Sequence, residues 1–570
     1  MLDFFRTFLA VLFAIGFLVM VPLFLVIGML FFGETGPRDG SWLTIHLDGD
    51  LLEHYAPLGL RNVLEEHPPV LMEITENLEK AAVDDRIEGV IFRLDWFSAG
   101  PGKLDEIRAG IRRVREAGKP VYAHAFVLRD AGIYLGSECD SLFVSPKGLA
   151  FFLGRGVVID HVKGTLEKLD VDPNFHRIDE YKSASELFTE KQASPATIEN
   201  VKWVIDDLNA ATDEVLRTNL GLAQEDLDRA REHAIFSTKE LVERGLASSA
   251  LHWDELVDRL REPRDELLTV SSADYAKVGR GAVGLGGRTR FAVVHAQGFV
   301  SSGGEDRFDP VLGLTMGADR VIDDLERVRD DESVRAVILR CDTGGGATDG
   351  AERIARAVEL CRHEKPVVVS IADVGASGGY MMSSPANHVV CAANGITGSI
   401  GSITGKFNIR GLLEKLGLTF DELPFAPNAF LLSELHGYTE AQRARISEEH
   451  WTRYQEWIAE IAEDRELSPE QVDGVARGKV WTGRQALERD LVDSVGGFGE
   501  AMAAARQLAG IDEGAKVSLV HLPEKQTLLD LLLAGDLGQA VLGDAVRSLR
   551  KSLLGRGSPL PLHWEGLRAE

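Results

Sequence analysis

The sequence predicts an α/β protein: two tandem α/β repeats, each built on a parallel sheet, after one N-terminal membrane-spanning helix. Three observations carry this expectation. They are an uncharged apolar run near the start, an internal duplication, and the alternation of short β-branched runs with charged amphipathic stretches in each copy. At 570 residues the chain is too long for one hydrophobic core, so more than one domain is expected.

The first element is the run from Phe8 to Gly33, which carries no charge. About 20 apolar residues cross a bilayer, so this run is long enough to span with some tilt. A signal peptide would have a shorter apolar region, roughly 7–15 residues, ending at an A-x-A-like site. Here the run ends in MLFFGETG, which has no such site. Residues 8–33 therefore read as an uncleaved anchor, with residues 1–7 as a short tail. Arg6 and the α-amino group outweigh Asp3, which places that tail in the cytoplasm and everything after Gly33 on the other side.

The duplication follows. Ile87 to Asp95 aligns with Val334 to Asp342, pairing Val90 with Val337, Arg93 with Arg340 and Asp95 with Asp342. Lys119-Pro120-Val121 pairs with Lys365-Pro366-Val367, Tyr134 with Tyr380, and Glu167-Lys168-Leu169 with Glu414-Lys415-Leu416, all displaced by 246 or 247 positions. Two related domains are expected, over 40–285 and 286–525, with a C-terminal tail over 526–570 to which no role attaches. Within each copy, VIFRL, AVILR, FAVVHA and PVVVSIA have the length and β-branching of buried parallel strands. Residues 316–330 and 349–363 have helical apolar spacing. Strand and helix in alternation imply right-handed crossovers. Residues 217–234 and their counterpart 451–477 read as helical linking pieces.

Composition excludes several functions. The net charge of −27, from 89 acidic against 62 basic residues, lacks the basic footprint that nucleic acid requires. Four cysteines (Cys139, Cys341, Cys361, Cys391) in so long a chain make no disulfide framework. No metal-ligand spacing occurs. The phosphate-loop pattern fails because Gly405-Lys406 is followed by Phe407, and no dinucleotide fingerprint is present, so no cofactor is expected.

One segment carries chemistry. After the apolar run 366–373 come Gly375-Ala376-Ser377-Gly378-Gly379-Tyr380. A serine at a strand-to-helix turn, flanked by small residues, leaves room for a carbonyl and exposes helix-start amides to a developing oxyanion. The same residues also suit an ordinary tight turn. The earlier run Asp342-Thr343-Gly344-Gly345-Gly346 could supply a second amide. A serine hydroxyl needs a base. His388 sits in an apolar run and reads as a packed core residue. A lysine serves if burial lowers its pKa.

Three motifs together, Gly-Ala-Ser-Gly-Gly-Tyr at 375–380, Thr-Gly-Ser-Ile-Gly at 397–401 and Tyr-Lys-Ser-Ala at 181–184, resemble the long type of the signal peptide peptidase A (protease IV) family of S49 serine peptidases. The resemblance spans roughly 40–525, with the anchor and the duplication. It implies crotonase/ClpP-like α/β repeats, Ser377 as nucleophile, Lys182 as general base, and Ser399 as the residue that holds the lysine. It also implies an oxyanion hole from the backbone of Gly378 and of Gly345 or Gly346. Where the family usually has Ser/Thr-Pro-Gly-Gly, this chain has Thr343-Gly344-Gly345-Gly346, a turn without the φ restraint of proline. The duplication bears on the same residues. At the repeat offsets Ser377 faces Ala131, Ser399 faces Phe152 and Lys182 faces Ala429, so each copy retains one half of a site.

The expected function is hydrolysis of hydrophobic peptides, such as cleaved signal peptides, by a membrane-anchored endopeptidase. By resemblance it would be a homotetramer in the bacterial inner membrane, with its catalytic domains on the periplasmic side. A crotonase-like acyl-CoA enzyme and a catalytically inactive membrane scaffold are the alternatives.

Overall fold

In the computed structural model, residues 36–55, 70–309 and 312–524 are described. The expected anchor at 8–33 and the tail at 526–570 lie outside these residues. Among the described residues no helix is long and apolar enough to cross a membrane.

The first lobe is built on four strands, β1 (Ser41–Asp50), β2 (Ile87–Ser98), β3 (Val121–Leu128) and β4 (Ser141–Phe151). They lie in the order β4-β3-β2-β1, and each neighbouring pair is parallel. The crossovers are helices α1 (Leu71–Val83) and α2 (Pro101–Glu116), whose apolar faces close over the sheet. A separate strand, β5 (Asp172–Arg177), leaves this lobe altogether. The long helix α3 (Pro195–Leu220) follows; Pro195 occupies its first turn, the Ser194 hydroxyl caps it, and Gly221 ends it in the left-handed region at φ 69°. The linking helix expected over 217–234 is thus the end of α3, a break at Gly221, and a second helix at Gln224–His233.

The second lobe repeats the plan. Strands β6 (Thr289–Gln297), β7 (Val334–Thr343), β8 (Val367–Ala376), β9 (His388–Cys391) and β10 (Ile396–Gly398) form its sheet, ordered β10-β8-β7-β6 with β9 beside the first half of β8. All these pairs are parallel. Residues 336–341 of β7 are all buried, which is why this strand reads as an apolar run interrupted only by Arg340. Helices α4 (Ala318–Asp330) and α5 (Thr348–Glu364) match the expected 316–330 and 349–363 closely. A short helix α6 (Gly378–Ser383) follows β8, and strand β11 (Ile403–Asn408) leaves this lobe as β5 leaves the first. Helix α7 (Glu440–Asp464) is the counterpart of α3, and starts at a Thr439 cap well before the expected residue 451.

The lobes are joined in three places. Strands β5 and β11, one from each lobe, pair antiparallel from Ile403↔Arg177 to Asn408↔Asp172. Helix α3 docks on the edge strand Val480–Thr482, where Asn200 accepts from the Val480 amide and Trp203 donates to the Val480 carbonyl. The start of α2 meets β8 so closely that a side chain at Gly102 would run into the Ala372 carbonyl. Beneath that contact lies a buried ionic cluster. Arg340 is fully buried and pairs with Glu53 (2.5 Å) and Glu106 (2.8 Å), while Lys103 pairs with Asp342 (2.7 Å) and Asp373 (3.5 Å). The four cysteines are all buried and unpaired.

Candidate active site

Strand β8 ends at Ala376, and Ser377 makes the turn into α6 with φ 57° and ψ −117°. This is positive-φ backbone that a non-glycine residue seldom adopts and that functional turns retain. The flanking residues must be small. A side chain on Gly379 would sit 2.7 Å from the Thr343 carbonyl. The turn is pinned by the Ser377 amide, which donates to the Gly398 carbonyl at 2.8 Å. Because β10 pairs with the end of β8 (Ala376↔Gly398), Thr397-Gly398-Ser399 lies directly beside the serine turn.

Lys182 arrives from the other lobe. Strand β5 carries the chain across onto β11, Ile178 buries itself in the second lobe's core, and the backbone then turns at Lys182. Gly478, at φ 85°, lets that turn pass, since a side chain there would strike the Lys182 backbone. The Lys182 Nζ lies 2.9 Å from Ser377 Oγ, 2.7 Å from the Ser399 carbonyl and 3.0 Å from Ser399 Oγ. The lysine is 6% exposed, and burial alone lowers its pKa to about 7. A neutral amine has two N–H donors and one lone pair. Two donors toward Ser399 leave the lone pair for the Ser377 hydroxyl proton.

The Gly-rich turn after β7 faces the serine. The Gly345 amide donates to Thr343 Oγ1 at 3.0 Å, so of the two glycines considered there, Gly346 retains a free amide. Among the described residues, neither the Gly346 nor the Gly378 amide donates to a backbone acceptor. A Cβ placed on Gly378 would lie 3.4 Å from the Gly346 nitrogen, so the two amides border one small space. That arrangement can hold an oxyanion. Gly344, in the position of the missing proline, lines the same cleft.

Ser377, Lys182 and Ser399 open into a cavity of about 260 Å³ walled by Val157, Val158, Leu187, Phe299, Met381 and Trp457. Sequence reasoning missed these walls. Val157 and Val158 belong to the first-lobe stretch that matches β11 at the repeat offset, and that register was the available signal. His388 bonds Ser494 at 2.9 Å on β9. It is half-buried at the start of β9 rather than packed in the core, and is not among the residues lining the cleft.

Comparison with known proteins bears on the family of the chain. The sequence model of peptidase family S49 matches residues 113–267 and 359–512. The chloroplastic serine protease SPPA of Arabidopsis thaliana is 32% identical, the match covering 89% of this chain and 74% of that protein. Protease 4 of Salmonella typhi is 29% identical, over 84% of this chain and 78% of that protein. Among solved structures, a mutant of the 1510-N membrane-bound stomatin-specific protease covers 42% of this chain and 99% of its own, at 13% identity and a TM-score of 0.27.

Proposed function

We propose, for a chain that belongs to peptidase family S49 and is a serine peptidase, that Ser377 is the nucleophile and Lys182 the general base. One observation carries this reading: a buried lysine, shifted toward neutrality and with no carboxylate partner among the described residues, lies 2.9 Å from a half-buried serine at the turn between β8 and α6. Neutral Lys182 takes the Ser377 proton as Oγ attacks the peptide carbonyl carbon. The oxyanion sits between the Gly346 and Gly378 amides. Lys182 then delivers its proton to the leaving amine as the C–N bond breaks. In the second half, Lys182 takes a proton from water as the water oxygen attacks the acyl carbon, and returns it to Ser377 Oγ as the ester C–O bond breaks. Ser399 orients the amine throughout.

The apolar cleft wall supports hydrophobic peptide segments as substrates, and the family resemblance suggests cleaved signal peptides among them. In this reading the 8–33 run anchors a homotetramer to the bacterial inner membrane, with the catalytic lobes on the periplasmic side. Reaction with a fluorophosphonate probe tests the chemistry. The wild-type chain should be labelled at Ser377, and both Ser377→Ala and Lys182→Ala should lose labelling and peptide hydrolysis by about 10⁴-fold or more while remaining folded. Undiminished cleavage by Ser377→Ala would sink the assignment.

A further inference from the structure

Outside the dyad, Asp160, Ser183, Glu186, Thr197 and Thr348 also line the cleft, and one further polar file reaches it from the β5–β11 side. Ser402, three positions past Ser399, lines the cavity, and its Oγ lies 2.7 Å from His450 Nε2. On the far side of that ring, His450 Nδ1 lies 2.7 Å from His176 Nδ1. The three residues come from three places: the residue just before β11, helix α7, and β5 of the other lobe. His450 is buried, and burial, with His176 and Arg453 nearby, lowers its pKa to about 4, so near neutral pH the ring is uncharged. Two neutral rings facing each other through their Nδ1 atoms share a single proton at that contact. Whichever ring holds it, His450 Nε2 is left with a defined role toward Ser402. The hydroxyl therefore satisfies one hydrogen bond from behind and keeps its remaining capacity for the cleft.

A simple clamp between β5 and β11 does not account for the trio, because those strands already pair through their backbones over six positions each. The cleft wall is otherwise largely apolar, and in such pockets the few fixed polar groups orient the ligand. We propose that Ser402 is a substrate-binding residue: its hydroxyl, held by His450 and His176, hydrogen-bonds the backbone of a peptide lying across Ser377. His450 and His176 act through it as positioning residues. The proposal rests on the peptidase reading above.

The test separates binding from turnover. An apolar fluorescent peptide is titrated by anisotropy into the full chain carrying Ser377→Ala, with and without Ser402→Ala. Loss of the hydroxyl should weaken binding about three- to tenfold, the size of one net hydrogen bond. Ser402→Thr should restore it. In the catalytically active chain, Ser402→Ala and His450→Phe should raise KM by a similar factor while kcat moves less than about twofold. Equal affinity with and without the hydroxyl overturns the proposal, as does absence of binding to either chain. A fall in kcat at constant KM overturns it too, since that marks the trio as a prop for the dyad. Failure of the wild-type chain to cleave the peptide counts against the peptidase reading instead, and the binding comparison still decides the role of Ser402.

Discussion

A buried lysine without a counter-charge is costly, and Lys182 shows what the site gains from that cost. Its folded pKa of about 7 lies below the usual 10.5 through burial. The neutral, basic form therefore grows in as pH rises through 7. Measured kcat/KM should rise roughly tenfold per pH unit on the acid side and level off above about pH 8. A profile flat from pH 5 to 9 would contradict a lysine base. The same shift makes a stability claim. The unfolded chain holds that proton up to about 10.5, so burying the amine destabilises the fold fully below pH 7 and not at all above about 10.5. Lys182→Met should abolish turnover yet stabilise the fold by roughly 1–3 kcal/mol at pH 7, an advantage that shrinks toward pH 10 in denaturant titrations. At this scale Ser377 and Lys182 were legible as motif residues, but nothing local in Tyr181-Lys182-Ser183 distinguishes a buried base from a solvated lysine.

Among the elements, the turns carry the candidate groups and the strands hold them. Gly345 has φ 99°, and a side chain there would lie 2.6 Å from the Gly378 amide nitrogen and 2.8 Å from Ser377 Cβ. Gly345→Ala should therefore spoil the oxyanion space and lower kcat by about 10²-fold or more, with a smaller effect on KM. Steady-state kinetics check this, and a change confined to KM would refute it. The core strands were readable from their apolar runs because both faces of each sheet are covered. The ribbon formed by β5 and β11 was not, since each strand is half-exposed and its partner lies in the other lobe. The start of α3 was missed although its Ser194-Pro195 signal is plain in the sequence. The expected piece begins at Arg217, inside the last turn of α3.

For the whole molecule, the duplication explains why a site needs both lobes. Each lobe sends one strand across, and the contact of Lys182 with Ser377, the dyad proposed above, lies within a single chain. Mixing the Ser377→Ala and Lys182→Ala chains should accordingly restore no activity, whereas recovery after mixing would place the dyad between chains. The interlobe cluster sets how firmly the halves are held. In it burial pushes the Glu106 carboxyl up to about 7 and that of Asp373 up to about 6, and Arg340 and Lys103 supply the compensating charge. Arg340→Ala leaves Glu53 and Glu106 buried without their partner and should cost about 3–5 kcal/mol, lowering the thermal midpoint. An unchanged midpoint would show that the cluster contributes nothing to lobe docking.

The sequence by itself determined the class of this protein. Periodicity reported the sheets, self-similarity reported two copies, and three short motifs named the groups that could react, because each of these is written in neighbouring residues. Only the tertiary structure decided that the groups meet. The distance from Lys182 to Ser377 depends on the pairing of β5 with β11 and on Ile178 being buried in the opposite core. So does the choice of Gly346 over Gly345, which turns on one hydrogen bond from the Gly345 amide to Thr343. Desolvation, which lowers the pKa of an ordinary lysine, arises from the atoms packed around it and has no signature along the chain.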